Sequence, residues 1–195
     1  MTKKEKFDNV CFTVYSEIRS LELYIELVRE FEINGNSNSE LIKTIKDSFG
    51  FQIASIFSRI VEDSKRNSAN IFYIKRFINS EINNLSKNEN EKNILRQAKS
   101  DIGSFIEKYK IDIEVFRGIK NVKISHNDLI LAKLNQEKIL KYDLVRMTEI
   151  KNYLINIFKK ISRKGNFKQE DLNEIKNEVS LFCRKKPSET FLENK

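Results

Sequence analysis

The sequence predicts an all-α fold, on three observations. One proline and five glycines in 195 residues leave few breakers, whereas an all-β chain of this length needs many turn formers. Apolar residues at 39% and charged residues at 33% suit amphipathic helices, each with one buried stripe and one solvated face. Apolar positions also recur at steps of three and four over most of the chain. The expected architecture is an antiparallel bundle of four long helices plus shorter ones. A chain of this size removes roughly 70% of its unfolded surface from water, so it folds without staples.

The first helix is indicated by Phe7, Cys11, Val14, Ile18, Leu21, Ile25 and Val28, whose alternating steps of four and three place them on one seam from about residue 7 to 32. Asn34-Gly35-Asn36-Ser37-Asn38 supplies a turn, and Ser39 is positioned to cap the next helix. That second helix carries Ile42, Ile45, Phe49, Ile53, Ile56 and Ile60 up to Asp63, antiparallel to the first. A lesser helix is expected from Ser68 to Leu85, through Ile71, Phe72, Ile74, Phe77, Ile78 and Ile82. The polar tract Ser86 to Asn93 reads as a loop or a frayed helix start. Ile102, Phe105, Ile106, Tyr109, Ile113 and Phe116 mark a third long helix running into Arg117-Gly118-Ile119-Lys120. Leu140, Leu144, Met147, Leu154, Phe158 and Ile161 define a fourth, closed by Gly165. A last helix is expected from about 168 to 184, with Pro187 as its stop.

No internal repeat or shift of composition divides the chain, so residues 1–186 are expected to form a single domain and 187–195 a C-terminal tail. Cys11 and Cys183 lack metal-ligand spacing and the density of a disulfide scaffold, which fits two small core residues in a reducing, cytoplasmic setting. The N-terminal residues Met1 to Lys6 lead into a charged helix instead of an apolar signal core. No stretch approaches about 18 consecutive apolar residues, so neither export nor a membrane span is expected. The net charge of +8 favours polyanionic partners, because phosphate contacts by Lys and Arg release counterions. The basic pairs, such as Lys75-Arg76 and Lys159-Lys160, are scattered, and none forms a nucleic-acid arm.

The chemistry narrows by elimination. The five glycines stand apart, so no phosphate-cradling loop of the Walker or dinucleotide type is present. A serine nucleophile elbow needs a strand and flanking glycines that the chain lacks. Histidine occurs once, at position 126, which excludes His-cluster metal sites, and no metal or cofactor is expected. Paired carboxylates holding a metal stay open.

What remains is Arg117-Gly118-Ile119-Lys120-Asn121-Val122-Lys123-Ile124-Ser125-His126-Asn127-Asp128. Here the one imidazole, able to move protons near neutral pH, lies among cations able to hold a phosphate. In an unbroken helix Lys120 and His126 would sit about 240° apart around the axis, so the helix must end or bend between them. Gly118, Asn121 and the β-branched Val122 and Ile124 favour that break, and Asn127 or Asp128 suits the cap of a following helix. Taken alone, the same residues also read as an ordinary loop histidine beside a solvated helix end.

The run Lys120 to Asp128 resembles the signature of the HEPN superfamily, an arginine followed after four to six residues by histidine. The form is that of the AbiU-like abortive-infection branch, R-x-K-x-I-A-H-x-D. Ile56-Phe57-Ser58-Arg59-Ile60-Val61-Glu62-Asp63, followed by Asn67-Ser68, is similar to that branch's second-helix segment, so the resemblance covers roughly residues 8 to 162. It implies a helical bundle that dimerises with two motifs facing one cleft. It also implies metal-independent RNA cleavage leaving a 2′,3′-cyclic phosphate, in a toxin or phage-defence setting with an antitoxin or another defence-system protein as partner. His126 would then be the acid/base, Asn121 a polar helper and Lys120 the occupant of the arginine position. Lysine keeps the charge but loses the planar fork that matches phosphate, which weakens the grip that cleavage needs; Arg117, one turn earlier, is the alternative carrier of that role. Two expectations therefore stand: an RNA-cutting effector, or a non-catalytic HEPN-like module that binds nucleic acid or a partner protein.

Overall fold

The computed structural model describes residues 1–34, 40–63, 69–116 and 144–161, together with Asn177. All regular structure among them is helical: α1 (Lys3–Asn34), α2 (Glu40–Val61), α3 (Ile71–Leu85), α4 (Glu89–Lys108) and α5 (Leu144–Ile161), with a further helical stretch over 110–116. The loop expected around residues 35–39, Leu140, the helix stop at Gly165, most of the helix expected at 168–184, Cys183 and the tail from Pro187 fall outside the described residues.

The expected α1 seam is the core. Phe7, Cys11, Val14, Ile18, Leu21, Ile25 and Val28 are all buried, none more than 7% exposed. The helix starts earlier than its apolar pattern because Thr2 and Glu5 cap it reciprocally. Glu5 N–H donates to Thr2 Oγ1 at 3.1 Å and Thr2 N–H donates to Glu5 Oε2 at 2.8 Å. Glu17 pairs with Arg59 and Glu32 with Lys46, so α2 runs antiparallel to α1 as expected. On α2 the core face tightens toward the C-terminal half, where Ile53, Ile56, Phe57 and Ile60 are buried, while Ile42, Ile45 and Phe49 are half-buried.

Asn70 caps α3 by accepting from the Tyr73 N–H at 2.7 Å, and Ile71, Ile74 and Ile78 turn inward. Only part of the polar tract is loop. α4 begins at Glu89 because Asn88 Oδ1 accepts from the N–H groups of Asn90 and Glu91, and Glu89 and Glu91 place negative charge at the positive helix end. α4 is interrupted at Tyr109, whose φ of −110° and ψ of 23° depart from helix. The Ile113 N–H still donates to the Tyr109 carbonyl at 2.9 Å, so the chain resumes helix to residue 116. α5 packs between α1 and α4, running antiparallel to both: Arg29 meets Thr148, Lys108 meets Glu149, and Asp101 meets Lys160.

Candidate functional site

Arg117, Lys120, Asn121 and His126 all lie outside the described residues, so the motif is approached through the structure on either side of it. On the N-terminal side, Phe116 is 1% exposed and meets Phe57 of α2 edge-on, with ring centroids 4.9 Å apart. The residue preceding Arg117 is therefore anchored in the core. On the C-terminal side, α5 opens with Arg146, whose guanidinium reaches back across the gap in sequence. It donates to Asp112 at 3.1 and 3.4 Å and to Glu149 at 2.8 Å, and lies over the Tyr109 ring, 4.7 Å from its centroid. Lys108 Nζ and the Tyr109 hydroxyl both donate to Glu149 Oε1, at 2.8 and 3.0 Å. Through this network the end of α4 and the beginning of α5 hold the two roots of segment 117–143 together.

The network shifts its own titrations. Hydrogen bonds from Lys108, Tyr109 and Arg146 pull the Glu149 carboxyl down to about 2. The Asp112 carboxylate raises Arg146 further, Glu149 raises Lys108, and burial raises the Tyr109 phenol. At neutral pH every member keeps its ordinary charge. The arrangement is therefore a structural clasp and offers no proton donor or acceptor poised near pH 7. Beside it, Ile111, Val115 and Val145 expose apolar surface at the same end of the molecule.

The second segment of the resemblance is described through Asp63. Its Arg59 makes a two-armed bond to Glu17, at 3.1 and 2.8 Å, and donates to Ser55 at 3.1 Å. These groups line an open polar groove of about 370 Å³ with Thr13, Ser16, Ser20, Tyr24 and Gln52. Because the hydroxyls of Thr13, Ser16 and Ser20 already donate to α1 carbonyls, the groove offers chiefly acceptors. Asp63 pairs with Arg76 at 2.5 Å. Ser58 is 1% exposed and its hydroxyl has no hydrogen-bond partner.

A third polar cluster lies between α1 and α5. Lys151, 5% exposed, sits 3.3 Å from Glu22 and 4.0 Å from Glu26; Arg19 pairs with Glu22, and Arg29 joins Glu26 to Thr148. Buried ion pairs of this kind add little net stability after desolvation, but mispairing them is costly, which favours one register of α5 on α1. Their sequence separation, 129 residues for Lys151 and Glu22, hides them from any local pattern.

Charge follows the same geography. Residues 117–143 carry Arg117, Lys120, Lys123, Lys133, Lys138 and Lys141 against Asp128, Glu137 and Asp143, a net +3 of the chain's +8. α5 holds Arg146, Lys151, Lys159 and Lys160 against Glu149 alone. α1 is the acidic element, with seven Asp and Glu against five Lys and Arg. Among the described residues no group of His, Cys, Asp and Glu is placed to hold a metal ion, and no helix is long and apolar enough to cross a membrane. Comparison of the whole chain with family models, characterised proteins and solved structures finds no match.

Proposed function

We propose that the chain is an HEPN-like, metal-independent endoribonuclease, acting in the cytoplasm as a toxin or phage-defence effector. The observation that carries this reading is the motif itself. The chain's one histidine, His126, follows Lys120-Asn121 at the family's spacing, in the segment with the largest share of the chain's positive charge. The all-helical fold is compatible with an HEPN-like bundle of four long helices, and the Arg146 clasp joins the helices that flank the motif.

In the mechanism proposed, His126 takes the proton from a ribose 2′-hydroxyl or delivers one to the leaving 5′-oxygen, and Lys120 or Arg117 holds the phosphate between them. One imidazole per chain supplies half of such a relay. The working form is therefore a homodimer that pairs two motifs across one cleft, and the exposed Ile111, Val115 and Val145 supply apolar surface near it. RNA is the substrate, and an antitoxin or other defence-system protein is the controlling partner. The test is incubation of the purified protein with RNA in EDTA. Cleavage should persist and leave 2′,3′-cyclic phosphate ends, and light scattering should give a dimer mass at micromolar concentration.

Lysine at position 120 favours a second reading, a non-catalytic module that binds RNA or a partner protein, because an ammonium lacks the bidentate fork of arginine. Lys120→Arg separates the two. Cleavage is kept or raised if residue 120 grips the phosphate, is unchanged if Arg117 does so, and is absent in both forms if the module only binds.

A further inference from the structure

The pairing of basic side chains has one local exception. Among the described residues, the buried and half-buried cations Arg19, Arg29, Lys46, Arg59, Lys92, Arg146 and Lys151 each sit beside a carboxylate. Lys75 of α3 and Lys99 of α4 are half-buried and do not. Lys99 Nζ donates only to the neutral Asn79 carbonyl, at 2.9 Å. Lys75 lies over Gly103: a methyl group built on that glycine would stand 3.4 Å from Nζ and 3.8 Å from Cε, with no other heavy atom within 4 Å among those outside its own helix backbone and chain neighbours.

The two lysines face one another across the same seam. Asn79 is one turn after Lys75 on α3, and Gly103 is one turn after Lys99 on α4. Because Asn79 meets Lys99 while Lys75 meets Gly103, the helices cross antiparallel, with the two ammonium groups about one turn, or roughly 6 Å, apart. Two like charges at that spacing, partly shielded from water, repel one another, and an anion between them relieves the repulsion. A phosphate accepting a bond of about 2.8 Å from each ammonium spans the gap, and lysine binds phosphate as a point charge without needing a planar fork.

We propose that Lys75, Lys99 and the bare backbone at Gly103 form a phosphate-docking site, and that its ligand is a backbone phosphate of the RNA. The choice of RNA rests on the function proposed above. α4 leads from this seam through Tyr109 to Phe116 and the motif, so a strand lying along α4 engages the seam at one end and the His126 segment at the other.

The test uses the full chain and its Lys75→Gln/Lys99→Gln variant, with Lys159→Gln, an exposed and distant charge, as control. Inorganic phosphate should shift the Gly103 amide and the Asn79 side-chain amide resonances in the wild type and leave them unmoved in the double variant. For a 20-nucleotide single-stranded RNA at about 0.1 M salt, the double variant should bind roughly tenfold more weakly. Its slope of log affinity against log salt should fall by about 1.4, since each lost phosphate contact on a single strand removes about 0.7. Lys159→Gln should change neither by more than about twofold. Phosphate shifts with unchanged RNA affinity would overturn RNA as the ligand and keep the anion site, and a wild type that binds phosphate but no RNA would remove the ribonuclease reading instead. If phosphate leaves Gly103 and Asn79 unmoved in the wild type, the site does not exist.

Discussion

Phe116→Ala tests whether the motif is tethered to the core as described. Phe116 is 1% exposed, and its ring meets that of Phe57, itself fully buried, edge-on at 4.9 Å. Truncating such a side chain removes its transfer free energy and leaves a cavity beside Phe57, which together cost about 3–5 kcal/mol. In a chain of 195 residues each kcal/mol lowers Tm by about 2–4 °C, so a fall of about 10 °C is expected. Thermal and urea unfolding followed by circular dichroism measure both, and the urea slope should be unchanged because the exposed surface is similar. A double-mutant cycle of Phe116→Leu with Phe57→Leu should recover about 0.5–1.5 kcal/mol of coupling from the ring pair. A loss below about 1 kcal/mol for Phe116→Ala, or no coupling in the cycle, would show that the chain before Arg117 is not seated in the core and would undo the account of how the motif is positioned.

Three further outcomes are expected. Glu149 is held at about 2 against an ordinary 4.5, so its contribution is present above about pH 4.5 and is lost as the pH falls toward 2; Glu149→Gln should therefore lower Tm at pH 7 and converge with the wild type over that window, and a Tm gap that stays constant down to pH 2 would contradict the clasp. Gly103→Ala should raise stability by about 0.5–1 kcal/mol, because alanine is favoured in a helix interior and its methyl meets only the flexible end of Lys75; the same methyl should weaken phosphate binding at the seam, and a stabilised variant that binds phosphate unchanged would argue against the cradle. Lys151→Met replaces a buried ammonium 3.3 Å from Glu22 and should destabilise, since Glu22 and Glu26 would lose a shared cation inside the α1–α5 interface; a more stable variant would show that the pair only fixes register.

How much the sequence reveals depends on how local each signal is. α1 is visible in full because one helix supplies all seven seam residues, and its burial matches the pattern residue by residue. The start of α4 escapes a search for apolar periodicity because Glu89 to Asn93 are all polar; its signal is Asn88 followed by acids, a cap in place of a hydrophobic stripe. The interruption at Tyr109 leaves no trace, since Ile113 and Phe116 continue the helical spacing past it. The Arg146 clasp is half legible. Arg146 and Glu149 stand three apart on one helix, but Asp112 is 34 residues away and its partner is set by packing. Lys75 stands out in the sequence only as part of a basic pair with Arg76; the fold separates them, giving Arg76 to Asp63 and leaving Lys75 beside Gly103. The motif is legible as residue types and spacing alone, and its side chains fall outside the described residues.

The central claim is that His126 performs proton transfer in RNA cleavage, and one measurement addresses it directly. The rate of cleavage of a defined RNA in EDTA is compared between the wild type and His126→Ala, after unfolding curves have shown equal stability. General acid/base groups contribute about 10²–10⁴-fold. The account predicts a loss of that size, with cyclic-phosphate ends on the wild-type products. A His126→Ala protein that cuts RNA at the wild-type rate, or a wild type that cuts none as a confirmed dimer, would contradict it.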